Sequence, residues 1–159
     1  GEVLMDATIL AGIMGLVGAI VGGALSFFGS IEGAKSNFKL QARHEEYLAA
    51  QKLYNGLIIS QHQIGILMSL KDPINPKMLG KLICDQDWQK ELALVQGLCG
   101  EEVRIIIDWY MVLERIENSS PNFQGNIDHD MFSGWFESKI ERMPGVLNIL
   151  ENRVKELES

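Results

Sequence analysis

The longest apolar run of the chain lies close to its amino terminus. Residues 7–31 carry no charged side chain over 25 consecutive positions and are rich in glycine and alanine. A helix rises about 1.5 Å per residue, so a helix of this length would cross a hydrocarbon layer of about 30 Å. The pattern therefore predicts one amino-terminal transmembrane helix within residues 1–31.

After residue 31 the apolar positions follow helical spacing, and no strand-like alternation occurs. The helix is expected to continue to about Leu70, first as a polar stalk over 32–46. A turn over 72–76 follows, with Asn75 as the N-cap and Pro76 at the first position of a short helix to about Ile83. The predicted fold is all-α: one transmembrane helix over 1–31 and a helical cytoplasmic domain over 32–159, in which a long connecting helix leads into a bundle of about four helices over 47–159.

Three further helices complete the predicted bundle. One covers 86–96, with Asp85 as its predicted N-cap. Another covers 101–117, where Arg104 and Asp108 are four residues apart and can pair on a narrow polar strip. The last helix begins near Asp128, and Pro144 predicts a kink or a short break in it. Its final part has the three-and-four spacing of a coiled-coil seam, at Leu147, Leu150, Val154 and Leu157.

Small residues form two rows along the apolar run. Residues four apart lie on one face of a helix, and small side chains there let neighbouring backbones approach closely. We therefore predict a helix–helix interface in this run, although glycine and alanine are also common in a plain membrane anchor. The predicted interface residues are Ala11, Gly15, Ala19 and Gly23 in the first row and Gly18, Gly22 and Ser26 in the second.

The charges beside the apolar run predict its orientation. Lys35, Lys39 and Arg43 follow the run, and no lysine or arginine precedes it. The positive-inside rule then places the amino terminus outside and residues 32–159 in the cytoplasm. Asp6, at the outer edge of the run, is a candidate ion or proton site, with an ordinary interfacial charge as the more common role.

The remaining chemistry points away from an enzyme. A net charge of −7, spread along the chain, gives no electrostatic basis for binding nucleic acid. Cys84 and Cys99 lie in apolar surroundings and form no CxxC pair, which predicts buried free thiols, with a single disulfide between them as the alternative. His129, between two aspartates, is expected to cap the last helix rather than to bind a metal. No nucleotide-binding, nucleophile or Glu-x-x-His motif occurs, so we expect no catalysis, no cofactor and no metal.

These features predict a single-pass membrane protein with lipid as one partner. The glycine-rich helix would self-associate, or dock as an accessory subunit of a larger membrane complex, while the cytoplasmic bundle acts as a scaffold or sensor. An oligomeric channel or pore-forming effector is the alternative, since two rows of small residues suit a ring of helices. A fusion-type insertion peptide is a third interpretation, because an apolar amino-terminal run precedes a long helix.

Overall fold

The computed structural model describes the backbone of residues 2–159 and the side chains of residues 15, 19, 20 and 22–159. It contains four α-helices: α1 (Glu2–Ser69), α2 (Trp88–Leu94), α3 (Gly100–Ser119) and α4 (His129–Glu158). No strand occurs within residues 2–159, which confirms the predicted all-α class. The chain divides into two compact units, residues 1–42 and residues 43–159.

The second unit is a helical bundle, as the sequence predicts. Apolar positions three to four apart on α1, such as Leu53 and Leu57, are fully buried, because this spacing places them on one helix face. Trp109 of α3 meets Phe136 of α4 edge to face, with 5.3 Å between ring centroids. Other fully buried side chains in this core are those of Ala50, Ile64, Ile106, Leu113, Phe132, Met143 and Leu150.

The connection between α1 and α2 is less helical than the sequence predicts. Asn75 caps a helical turn as expected, since its side chain accepts a hydrogen bond from the Lys77 N–H and Pro76 follows it. That turn is a single 3₁₀ turn, Pro76–Met78, and not a helix to Ile83. Gly80 has a φ of +65°, a left-handed conformation that ends helical structure.

The carboxyl-terminal helix differs from expectation at one proline. A kink or a short break was predicted at Pro144, and α4 shows no break, since it continues through this residue to Glu158. Pro144 is exposed, whereas Met143 and Val146 are buried, so the residue without an N–H lies on the outer side of α4. The start of α4 is as predicted, because the Asp128 carboxylate accepts a hydrogen bond from the Met131 N–H at 3.3 Å.

The first unit comprises residues 1–42, which α1 covers from Glu2 onward. Its described side chains are exposed, apart from that of Ile31, which is half-buried. Among the described residues, none of the helices is both long enough and apolar enough to span a membrane. The predicted transmembrane helix within 1–31 is therefore not supported by the part of the chain that the structure describes.

Candidate functional site

The predicted interface lies on α1, and most of its residues are described. Gly15, Ala19 and Gly23 of the first row are exposed, as are Gly22 and Ser26 of the second. A Cβ atom added to Gly15, Gly22 or Gly23 would meet no other atom within 4 Å. The side chains of Ala11, Gly18 and Asp6 lie outside the described residues. The described residues of both rows are thus open to a neighbouring helix.

Large apolar side chains flank these small residues. Ile20, Leu25, Phe27 and Phe28 each expose 63–68% of their surface. The two phenylalanine rings contact each other edge to face, with centroids 6.2 Å apart. Burying a side chain of this size stabilises a protein or complex by about 1.5–3 kcal/mol. Covering this surface with lipid or another protein therefore lowers the free energy. We call the exposed side chains of residues 15–31 the glycine-rich surface.

The cations after the glycine-rich surface have two different environments. Lys35 and Lys39 are exposed on α1. Arg43, the third predicted flanking cation, donates hydrogen bonds to the carbonyl oxygens of Glu156 at 3.0 Å and Leu157 at 3.3 Å. These carbonyls belong to the last turn of α4, where a cation is favourable because the free carbonyls carry partial negative charge.

A partly buried ion pair joins α1 to α4 close to Arg43. The Arg153 guanidinium contacts both carboxylate oxygens of Glu46, at 2.7 and 3.0 Å, and the Gln96 N–H donates to Glu46 Oε1 at 2.9 Å. Burial raises the pKa of Glu46, but the hydrogen bonds from Arg153 and Gln96 lower it more, so it lies below the ordinary 4.5. This arrangement fixes α4 and the chain after α2 against α1.

A second polar cluster is buried where α1, α2 and α3 meet. Glu91 of α2 is 5% exposed and Tyr110 of α3 is 1% exposed. Asp85 Oδ2, Glu91 Oε2 and Tyr110 Oη are buried and have no hydrogen-bond partner among the described residues when both acids are ionised. Gly56 of α1 makes room for them, since a Cβ there would lie 2.9 Å from Tyr110 Oη and 3.3 Å from the Asp85 Cβ.

The two acids of this cluster cannot both be ionised at low cost. Burial, together with the hydrogen bond and the negative charge of Asp85, raises the pKa of Glu91 to about 8, against the opposing effect of Lys52. Burial also raises the pKa of Tyr110, and the charge of Asp85 adds to this effect. The surroundings therefore favour the protonated form of Glu91, which is a hydrogen-bond donor. We call Asp85, Glu91 and Tyr110 the acid–tyrosine cluster.

An apolar groove of about 280 Å³ lies elsewhere in the second unit, lined by residues of α3 and α4, by Pro76 of the 3₁₀ turn and by the loop before α4. Arg115 stands at its edge and forms no ion pair among the described residues. The side chains that make its apolar wall are Pro76, Val112, Ile116, Phe123, Ile127 and Trp135. The volume and the apolar wall suit a small apolar group.

The cysteines and histidines form no site in the described residues. No group of three or more His, Cys, Asp or Glu side chains there could hold a metal ion. Cys84 and Cys99 are free, as expected, but they are exposed and not buried. His129 does not sit in solvent beside its aspartates, because its Nε2 lies 2.6 Å from the Met68 carbonyl oxygen and ties α4 to α1.

Comparisons with known proteins give no further indication. No family model matches this chain. No curated protein and no solved structure matches it either. The candidate sites therefore depend on the residues and their geometry alone.

Sequence reasoning missed both polar clusters of the second unit. Glu46 and Arg153 are 107 residues apart, and neither belongs to a motif. The interpretation of Asp85 as a helix N-cap was wrong: the N-cap of α2 is Asp87, and Asp85 Oδ1 accepts a hydrogen bond from the Asp87 N–H at 3.1 Å in the turn before the helix. The one available signal was Gly56, a glycine on the otherwise apolar side of a long helix, where close contact with another element is a common reason.

Proposed function

We propose that this chain is a membrane-associated interaction protein whose glycine-rich surface contacts lipid and other helices. The observation that carries this proposal is the set of large apolar side chains from Ile20 to Phe28 that expose about two thirds of their surface. A patch of this kind marks an interaction site, because leaving it in water is unfavourable. The helical bundle of residues 43–159 would serve as the scaffold or sensor.

The small-residue rows support association between helices over simple anchoring. Gly15, Ala19 and Gly23 lie on one face of α1, all exposed, with space for a neighbouring backbone. In lipid, such rows favour close packing through van der Waals contacts. The occupant is a second copy of this chain or the transmembrane helix of a larger membrane complex. Asp6 stays a candidate ion or proton site at the start of this helix.

The proposed orientation follows from charge. Lys35 and Lys39 are exposed just after the apolar run. In a single-pass arrangement, the positive-inside rule places the bundle in the cytoplasm. The free cysteines at 84 and 99 agree with a reducing compartment.

Native mass spectrometry of the full chain in detergent micelles tests this proposal. We expect oligomers, or a copurifying membrane protein, and we expect the double variant Gly15→Leu/Gly23→Leu to lose them because leucine blocks the close approach. Ala24→Leu is the matched control, since it adds the same side chain outside both rows. Monomers alone, with no copurifying partner, would contradict the proposal.

The exposure of both rows gives the channel alternative a specific basis. Gly22 and Ser26 of the second row are exposed together with Gly15 and Gly23 of the first, so one helix could contact two neighbours, as a ring requires. A pore of this kind would have few polar groups and would be narrow. Dye release from liposomes containing the full chain would support the pore, and intact liposomes with inserted protein would remove it.

A further inference from the structure

The acid–tyrosine cluster contains more buried polar atoms than its ionised side chains can satisfy. Asp85 Oδ2 and Glu91 Oε2 are both acceptors when ionised, and neither has a donor among the described residues. Tyr110 Oη, on a side chain that is 99% buried, also lacks a partner and points to the same place beside Gly56. One added proton changes this count, because a protonated carboxyl group is a donor to its neighbour.

We propose that Asp85, Glu91 and Tyr110 form a proton-binding site whose single shared proton holds residues 84–95 against α1 and α3. Protonated Glu91 donates to the Asp85 carboxylate. The Tyr110 hydroxyl and the same carboxylate both lie next to Gly56. When that proton leaves, two adjacent carboxylates are buried without compensation. Burying an unpaired charge is costly, so the segment that carries both acids opens.

Residues 84–95 can open without unfolding the rest of the bundle. Trp88, the first residue of α2, stacks on Tyr110 with 4.7 Å between ring centroids and 12° between ring planes. The α2 helix has only seven residues, Trp88–Leu94, and glycine follows at 97 with a φ of +87°. A short helix between loops can leave its place while the contacts of α1, α3 and α4 persist.

When Glu91 loses its proton, the neighbouring charged groups do not compensate for its negative charge. From α1, Lys52 faces Glu91 and favours its ionised form, while Asp85 and Asp87 from the preceding loop oppose ionisation. Lys52, Lys90, Asp87 and Glu45 line a groove of about 320 Å³ that reaches Glu91. From α3, the contributing group is the neutral Tyr110 hydroxyl. The groove gives the shared proton a route to solvent.

The direction of the pH effect follows from proton linkage. In the opened segment Glu91 has the ordinary carboxyl pKa of 4.5, whereas in the closed segment its pKa is about 8. The closed form therefore binds the extra proton between these values, and the equilibrium constant for opening increases with pH by up to about tenfold per unit. The increase ends above about pH 8, where both forms are ionised.

Two measurements on the full chain in mild detergent test the site. A carbon-detected NMR titration of the wild-type carboxyl groups should find Glu91 with a midpoint near 8, far from the ordinary value. Hydrogen exchange should show protection factors of the α2 amides that fall as the pH rises from 5 to 8, by up to tenfold per unit. Protection factors remove the intrinsic pH dependence of exchange.

Variants separate the shared proton from general effects of pH. Glu91→Gln keeps a neutral donor at all pH values, so protection of α2 should no longer depend on pH. Glu137→Gln, an exposed carboxylate on α4, is the matched control and should retain the wild-type slope. The proposal is overturned if Glu91 titrates in the ordinary carboxyl range in the wild-type chain, or if Glu91→Gln keeps the full slope.

Discussion

The helix α1 has two segments whose apolar side chains are differently surrounded: residues 49–64, which include Lys52 and several polar residues, and residues 20–28, which carry no charge. In residues 49–64, Leu53 and Leu57 are fully buried, whereas in residues 20–28, Leu25 and Phe28 expose about two thirds of their surface. The first segment belongs to the unit that includes α2, α3 and α4, and the second to a unit that contains α1 alone. Burial is therefore decided by available partners, and hydropathy alone does not decide it.

The two segments also differ in the size of the residues that they offer to a packing partner. In the second unit, apolar residues are matched by large side chains from other helices, and polar residues such as Glu46 find partners. In the first unit, small residues take the place of large ones on two rows. Rows of small residues fill little space in a core, but they permit close approach of another backbone. The difference favours an external partner for the glycine-rich surface.

The largest effect should come from truncating matched leucines in the two segments. Leu53→Ala removes a fully buried side chain and should lower the free energy of unfolding of the bundle by about 3 kcal/mol, through lost burial and a cavity. Leu25→Ala removes a side chain that is 68% exposed and should change it by less than about 0.5 kcal/mol. Urea denaturation followed by tryptophan fluorescence measures both. Equal effects would invalidate the comparison.

A smaller effect is expected from removing charges in the two units. Arg153→Ala leaves the largely buried Glu46 carboxylate with one backbone donor. We expect the free energy of unfolding to fall by about 2 kcal/mol, which is less than for breaking a fully buried ion pair because this pair is partly exposed. Lys39→Ala removes an exposed cation of the first unit and should be close to neutral. The same denaturation experiment applies. A neutral Arg153→Ala would show that the ion pair contributes nothing.

The same ion pair predicts a pH dependence with a defined sign. The pKa of Glu46 is lowered in the folded chain, so its contribution to stability is present above the ordinary value of 4.5 and is lost as the pH falls below it. In Arg153→Ala this acid-side loss should be reduced, because the chief cause of the lowered pKa is absent. Denaturation midpoints between pH 3 and 6 measure this, and an unchanged acid limb would contradict it.

The smallest of these effects should come from adding one methyl group to a glycine. Gly56→Ala places a Cβ 2.9 Å from Tyr110 Oη and 3.3 Å from the Asp85 Cβ, and should destabilise the bundle by about 1–2 kcal/mol. Gly23→Ala meets no atom within 4 Å and should leave the bundle unchanged. Thermal unfolding by circular dichroism distinguishes them. Destabilisation by both substitutions, or by neither, would argue against the described packing at Gly56.

Sequence patterns were sufficient for the helices that depend on local signals. The predicted helix over 101–117 is close to the observed Gly100–Ser119, since the Glu102 carboxylate accepts from the Cys99 N–H at 2.8 Å and its apolar face is clear. The predicted pair of Arg104 and Asp108 is present at 3.7 Å. These features need only residues within one turn of each other.

Features that depend on distant residues were missed. The acid–tyrosine cluster joins residues 56, 85, 91 and 110, and no spacing in the sequence indicates that these meet. A kink or a short break was predicted at Pro144, but α4 has no break there, and Met143 and Val146 on either side of the proline are buried in the core. Tertiary contacts overrode a local rule at this position, and they created the polar site where local rules gave only a cap.

Flotation of the full chain on a density gradient with liposomes tests the central claim most directly. If the glycine-rich surface contacts lipid, the chain should float with the vesicles and should resist extraction with alkaline carbonate. The Leu25→Lys/Phe28→Lys double variant should lose this behaviour, because it places charge within the apolar run. Recovery of the wild-type chain as a monomer in the aqueous fraction, with the vesicles protein-free, would contradict the account.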